Sequence, residues 1–220
     1  MKIKVISDLH GIFPDESISD NCDVLLICGD ICPTHNHSRN YQEHWIKTNF
    51  SYWCVFSRIP YIVFIAGNHD FIFENLPKHQ YMLKNDNVYY LNDTSITING
   101  ISIYGTPWTP QFYDWAFMGD ETLLASKFNK IPKNTDILLT HGPAFGYNDQ
   151  ILEFNDKRNI GSLALRNVID NSIIKYHCFG HIHSANHEPI LCKNNITKSV
   201  CVSYVNERYL PFYKPFEFEI

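Results

Sequence analysis

Basic charge is scarce in this chain: 18 lysines and arginines face 23 aspartates and glutamates, for a net charge of −5. That balance argues against a protein that clamps long nucleic acids through their phosphates. Charged residues of both signs make up only 19% against 45% hydrophobic, too apolar a mixture for a disordered chain. Long apolar runs are missing as well. None approaches the ~20 residues that span a bilayer, so no membrane partner is expected. The seven cysteines are odd in number and contain no Cys-x-x-Cys pair. Cys28 and Cys178 lie in apolar runs, where a thiol packs as a small hydrophobe. A reduced, cytoplasmic protein is the expectation. The first strand-like run begins at Lys2, which leaves no room for a signal peptide. No internal repeat, low-complexity tract or linker interrupts the 220 residues, and a single domain over 1–220 is expected. Oligomeric state is left open.

Five apolar runs read as strands: Lys2 to Ser7, Cys22 to Cys28, Tyr61 to Ala66, Asp136 to Thr140 and Lys175 to Phe179. Cys22 to Cys28 is almost continuously apolar, as expected of a strand covered on both faces. Helix candidates lie between them: Asn40 to Arg58, Glu74 to Lys84, Asp120 to Asn129 and Gly161 to Asn171. Asp120 suits an N-cap, and Pro77 weakens the second candidate. Strand–helix alternation in the first half suggests parallel βαβ units. Val88 to Leu91, Ser95 to Ile98 and Ile101 to Tyr104 are shorter, and Asn99-Gly100 between the last two marks a hairpin turn. His187 to Leu191 and Ser199 to Val205 read as further strands. Two packed sheets flanked by helices account for the whole pattern.

Five polar motifs follow these strands in order: Asp8-Leu9-His10, Gly29-Asp30, Gly67-Asn68-His69-Asp70, His141-Gly142 and Gly180-His181-Ile182-His183. An open α/β sheet places ligand-binding groups at the carboxyl ends of its strands. Asp8 and His10 are two apart, as are His181 and His183, so each pair can face one way. Gly29 lets the backbone turn sharply and aim Asp30 inward. Any one motif is weak evidence. All five, in order and each after a strand, suit two neighbouring divalent cations. Asp8, His10 and His183 would hold one ion; Asn68, His141 and His181 would hold the other; the two oxygens of Asp30 would bridge them. Such a pair acidifies water and activates it as a hydroxide for attack on a phosphate ester. His69 is reserved as general acid for the departing alkoxide. Asp70 either orients that imidazole or caps the following turn. The mixture of oxygen and nitrogen donors suits manganese, iron, zinc or nickel, with manganese favoured, and makes calcium a poor fit.

These motifs resemble the signature of the calcineurin-like metallophosphoesterase superfamily along essentially the whole chain. The resemblance implies an α/β fold, a four-layer α/β/β/α sandwich with a dinuclear metal centre. Tyr104 to Pro110, Trp115 to Phe117, Leu139 to Pro143, Tyr209 to Pro211 and the Pro215 to Phe218 run resemble the metallophosphoesterase-domain-containing, class III phosphodiesterase-like subfamily. His181 is retained, so the resemblance implies a full metal complement.

For substrate contact, Trp108 and Phe112 are candidates to stack on a nucleobase or aryl ester, as are Trp115 and Phe117. Packing at the edge of the second sheet is the competing reading. His35 and His37, in the loop after Asp30, lie on the side where a substrate would sit. A phosphodiesterase acting on small nucleotides or similar diesters is the favoured function. A monoester or protein phosphatase using the same residues remains the alternative, with a non-catalytic scaffold behind it.

Overall fold

The computed structural model describes residues 1–74, 85–153 and 156–220. Four parallel strands open the chain: β1 (Lys2–Ile6), β2 (Val24–Ile27), β3 (Tyr61–Phe64) and β4 (Val88–Tyr90). A second sheet follows from β5 (Thr94–Ile98), β6 (Ile101–Thr106), β7 (Ile137–Thr140), β8 (Tyr176–Phe179), β9 (Ile190–Leu191) and β10 (Lys198–Cys201). The last strand, β11 (Phe216–Glu219), returns to the first sheet antiparallel to β1. The spatial orders are β11-β1-β2-β3-β4 and β9-β10-β8-β7-β6-β5. In the second sheet β6, β7, β8 and β10 run parallel, with antiparallel β5 and β9 at the edges. Two short ribbons, Thr109–Pro110 with Met118–Gly119 and Gln150–Glu153 with Asp156–Asn159, stand apart.

The four layers follow from strand periodicity. Val24, Leu26 and Cys28 point into a core shared with Val5, Val63, Ile103, Ile137, Leu139, Cys178 and Val200, drawn from both sheets. The alternate residues Leu25 and Ile27 join Ile62 and Phe64 on the opposite face, beneath Trp45, Ile46, Phe50 and Cys54. Those four belong to α1 (Arg39–Trp45), a wide π turn (Ile46–Phe50) and α2 (Ser51–Ser57). On the far side, Tyr104 and Leu138 pack against Leu124 and Phe128 of α3 (Glu121–Phe128) and Leu165 and Ile169 of α4 (Leu163–Asp170). Each fully buried aliphatic side chain in these layers contributes about 1.5–3 kcal/mol. The expected α/β/β/α sandwich is therefore present.

Local signals held closely. Asp120 caps α3 as expected by accepting from Leu123 N–H, and Ser162, which had not been anticipated as a cap, does the same for α4 by accepting from Leu165 N–H. Asn99 and Gly100, at φ 50° and 84°, make the expected hairpin between β5 and β6. The helix expected over Asn40 to Arg58 forms with the π turn at its middle, and Arg58 ends it in the left-handed region at φ 54°. From residue 75 onward, the helix candidate Glu74 to Lys84 lies outside the described residues.

Two expected strands are shorter than anticipated. The run Ser199 to Val205 leaves its ladder after Cys201, because Tyr204 N–H donates instead to Ser7 O, at the end of β1. The run His187 to Leu191 is strand only at its end. His187 faces the carbonyls of Ala185 and Ser203 through its two ring nitrogens and stacks on Tyr213 at 3.6 Å, which holds that stretch as a loop. Among the described residues, no helix is long and apolar enough to cross a membrane. All seven cysteines are buried and free.

Candidate metal centre

Because β1, β2 and β3 are parallel, as are β7 and β8, the motif-bearing loops emerge where the two sheets meet. Asp8 and Asp30 are 0% and 2% exposed, and a pair of carboxylates this deep demands compensation. Asp8 receives it from the second sheet: His181 N–H donates to both oxygens at 3.1 Å, and Ser203 Oγ donates to Oδ2 at 2.6 Å. Asp30 Oδ1 accepts from His69 N–H at 2.7 Å. Its Oδ2 is left facing His141 Nε2 at 3.4 Å, His10 Nε2 at 3.8 Å and His69 Nε2 at 3.9 Å. A single oxygen of Asp30, rather than the expected two, therefore looks toward both ligand sets.

The seven anticipated ligands come together. Asp8, His10 and His183 converge, with His10 Nε2 and His183 Nε2 3.1 Å apart and His183 Nε2 3.8 Å from Asp8 Oδ1. Asn68 Oδ1 lies 2.8 Å from both His141 Nε2 and His181 Nδ1. Four of the seven adopt left-handed backbone conformations: Asp8 (55°), His10 (45°), Asp30 (53°) and His181 (71°). Such angles are costly away from glycine, and they cluster where surrounding structure fixes side-chain aim. Gly180 belongs to the same device. A Cβ there would collide with Ser7 Oγ and Asp8 Oδ2, so only glycine lets the second sheet's loop close on the first.

The donor set fits a cation. His141 Nδ1 lies 2.9 Å from Cys28 O, a group that only accepts, so Nδ1 carries a proton and the ring, when neutral, presents its lone pair at Nε2. That lone pair points at two further acceptors, Asn68 Oδ1 and Asp30 Oδ2. Such an arrangement needs positive charge at its middle, either a proton or a metal. Titration behaviour agrees. Burial works against charge on His141, yet the Asp30 carboxylate beside it lifts its pKa to about 9. Burial likewise opposes ionisation of Asp30, but His141 and then His69 hold its pKa well below the usual carboxylate range. Burial depresses His10 to about 4 and His181 to about 3, keeping both neutral and able to donate lone pairs.

His69 stands at the rim. Burial lowers its pKa, and its Nδ1 lies 3.0 Å from His37 Nε2. Asp70 lies elsewhere: Oδ1 accepts from Cys32 N–H at 2.8 Å, and Oδ2 accepts from Gly67 N–H at 2.8 Å and Ile31 N–H at 3.1 Å. Its carboxylate ties the Asp30 loop to the Asn68 loop. Burial, followed by the charge on Asp30, raises it to about 6.

The aromatic candidates separate. Trp108 turns inward, donating from Nε1 to Asp93 Oδ2 at 3.2 Å beneath Lys127 Nζ, which lies 4.0 Å from its ring. Phe112 is 53% exposed against Tyr113, and exposed His35 packs on Tyr41. Of the six side chains expected to meet substrate, His37 and Trp115 contact a residue of the centre, His69, in these interactions. Trp115 meets the edge of the His69 ring at 4.0 Å. Sequence reasoning gave no role to Tyr209, whose ring lies 4.9 Å from His10 and 5.2 Å from His183. Its one local signal is a left-handed φ of 56° within the turn closed by Asn206, which is not visible without coordinates.

The profile of the calcineurin-like phosphoesterases matches residues 1–185. A UPF0046 protein of Caenorhabditis elegans is 33% identical over 206 residues, covering 79% of this chain and 49% of its own. The human metallophosphoesterase domain-containing protein 1 is 32% identical over 160 residues, covering 61% of this chain and 48% of its own. The chain thus spans about half the length of these curated relatives. Among solved structures, the TT1561 protein of Thermus thermophilus superposes with a TM-score of 0.63 at 11% identity, over 93% of this chain and 89% of that one. A purple acid phosphatase from yellow lupin gives 0.51 at 15% identity, over 99% of this chain and 47% of that one. At such low identity these two likenesses speak for the fold alone.

Proposed function

This chain belongs to the calcineurin-like phosphoesterase family, and on that premise we propose that it is a metal-dependent phosphodiesterase acting on small diesters such as nucleotides. The observation that carries the reading is the convergence on Asp30 Oδ2: an acceptor oxygen surrounded by imidazole nitrogens, with Asn68 Oδ1 and Asp8 beside it. Asp8, His10 and His183 would hold one divalent ion; Asn68, His141 and His181 would hold the other, with Asp30 facing both. When bound, such ions, with manganese favoured, supply charge neutralisation for the phosphate oxygens and acidify water for attack.

The chain's own residues supply the rest. Cys28 O, accepting from His141 Nδ1–H, fixes the tautomer that leaves Nε2 free to ligate. His181 N–H and Ser203 Oγ keep Asp8 aimed, while against the cost of burial the neighbouring His183 and His141 hold its pKa below the usual value. His69 presents Nε2 at the rim, where its imidazolium form passes the Nε2 proton to the departing alcohol oxygen as the phosphorus–oxygen bond breaks, leaving the neutral ring with its proton on Nδ1. Trp115 against His69 and Tyr209 against His10 and His183 put aromatic surface on two sides of the centre, which suits a second ester substituent. The acidic balance of the chain favours small substrates over long nucleic acids.

The reading is tested by comparing kcat/KM on bis-p-nitrophenyl phosphate and p-nitrophenyl phosphate, with manganese and after chelation. Diester hydrolysis that is lost on chelation and restored by manganese is expected. A strong monoester preference would replace the diester assignment with a phosphatase; no hydrolysis of either would remove the enzyme reading.

A further inference from the structure

We infer that His37 is the positioning residue for His69: its Nε2 accepts the Nδ1–H of His69 and thereby fixes the ring so that Nε2 faces the centre. This deepens the reading above, resting on His69 as the group that protonates the leaving alcohol.

The two nitrogens are 3.0 Å apart, the ring planes differ by 30° and the centroids are 5.1 Å apart. Those values describe two nearly coplanar rings joined edge to edge through a hydrogen bond, not two rings laid face on face. The other acceptors near His69 are already engaged. Asp70, next in sequence, gives both oxygens to the backbone N–H groups of Cys32, Ile31 and Gly67. Asp30 Oδ1 is taken by the His69 backbone N–H, and Asp30 Oδ2 lies toward Nε2 rather than Nδ1. His37 therefore does for this imidazole what a carboxylate could do elsewhere, without adding a third negative charge beside Asp30 and Asp70.

The pair is braced as a unit. Trp115 meets the His69 ring at 4.0 Å and the His37 ring at 5.5 Å, both at 75°. Phe71 packs on His37 at 5.3 Å. The Trp115 segment is itself tied to the ligand loop through Ala116 N–H donating to Asn68 O at 3.1 Å. Gln42 holds the same loop from beneath, donating from Nε2 to His69 O at 2.7 Å and accepting from Ile72 N–H at 2.9 Å. An imidazole held on one nitrogen and flanked by the Trp115 ring has a single direction left for the other nitrogen, which carries the second proton of the imidazolium form.

Two variants separate orientation from packing. His37→Phe keeps a ring against Phe71 and Trp115 but has no acceptor; His37→Gln loses the ring but retains an amide oxygen that can accept. With diphenyl phosphate, whose phenoxide is a poor leaving group, His37→Phe should lower kcat by about 10- to 100-fold with little change in KM. With bis-p-nitrophenyl phosphate, whose leaving group needs little protonation, the loss should be no more than about threefold. His37→Gln should recover most of the diphenyl phosphate rate. Independently of turnover, nitrogen-15 NMR of the metal-free protein with labelled histidines, His69 assigned through His69→Gln, should place the His69 proton on Nδ1 in the wild type and in His37→Gln. In His37→Phe the proton should redistribute to Nε2. Equal losses on the two esters, equal effects of the two variants, or a His69 tautomer indifferent to His37→Phe would each overturn the proposal. A wild type inert toward both esters, with the tautomer shifting as described, would remove the hydrolase reading while supporting the His37–His69 pairing.

Discussion

From the first sheet the cleft receives Asp8, His10, Asp30 and Asn68; from the second it receives His141, His181 and His183. All the oxygen donors come from one side, and the other contributes imidazoles alone. The two sides also differ in how they are built. Three of the first sheet's four candidate ligands sit at positive φ, against His181 alone among the second sheet's three. Yet each bank is oriented in part by the opposite sheet. Asp8 is held by His181 N–H and Ser203 Oγ from the second, and His141 is held by Cys28 O from the first. The contrast teaches that the centre is a property of the docked sheets. Strain at Asp8 is sustained by donors that arrive only when the second sheet is in place.

The most damaging way to break this pairing is at the group facing both banks. Asp30→Ala should reduce phosphoester hydrolysis at least about a thousandfold, the equivalent of ~4 kcal/mol of transition-state stabilisation, and should lower metal content measured by plasma mass spectrometry. Retained metal and activity would mean that the banks are not coupled through this carboxylate. His69→Ala removes a side chain from the first sheet's loop that is not assigned to a cation. It should leave metal content near the wild-type value and slow poor leaving groups by about 10²–10⁴-fold. An equal loss for good leaving groups would deny His69 the protonating role.

A third substitution tests the docking. Gly180→Ala inserts a Cβ against Ser7 Oγ and Asp8 Oδ2, across the junction of the sheets. Overpacking of this kind costs about 1–3 kcal/mol, and thermal unfolding should show it together with weaker metal retention. A variant as stable and as metal-loaded as the wild type would show that the junction is looser than described.

The smallest effect lies under the imidazole bank. His177 is fully buried between Thr140 Oγ1 and Ser199 Oγ, each 2.8 Å from a ring nitrogen, and burial depresses its pKa from 6.5 to about 3. The folded state holds this ring neutral while the unfolded chain takes up a proton below 6.5. Its stability contribution is therefore complete above that pH and is lost as pH falls from about 6.5 toward 3. Chelated protein should lose stability across that window. His177→Gln should reduce the slope by up to about 1.4 kcal/mol per pH unit, one proton's worth. An unchanged slope in denaturant titrations would exclude His177 from the acid response.

What could be read from the residues alone divides along the same lines as local and distant contact. The strands carrying Asp8, Asp30, Asn68, His141 and His181 announce themselves by apolar runs that alternate between two buried faces, a property of adjacent residues. The cap at Asp120 and the turn at Asn99-Gly100 are equally local. By contrast, Asp70 follows His69 directly in sequence, but its oxygens turn to Ile31 and Cys32, and His37, 32 positions away, takes the Nδ1 contact. Trp108 belongs to a segment that points to the cleft on paper. Its indole is instead drawn away by Asp93 and Lys127. Tyr209 arrives at His10 from nearly 200 residues further along, carried by a chain that leaves the β10 ladder to bond Ser7. The π turn within the α1–α2 helix has no composition that marks it.

Two cations side by side between the two banks are what the proposed chemistry requires. Anomalous diffraction at the manganese edge, from a crystal grown with manganese, tests this directly. Two peaks ~3.5–4 Å apart are expected, one among Asp8, His10 and His183, the other among Asn68, His141 and His181, with Asp30 facing both. A single peak, or manganese only outside this cleft, would contradict the account.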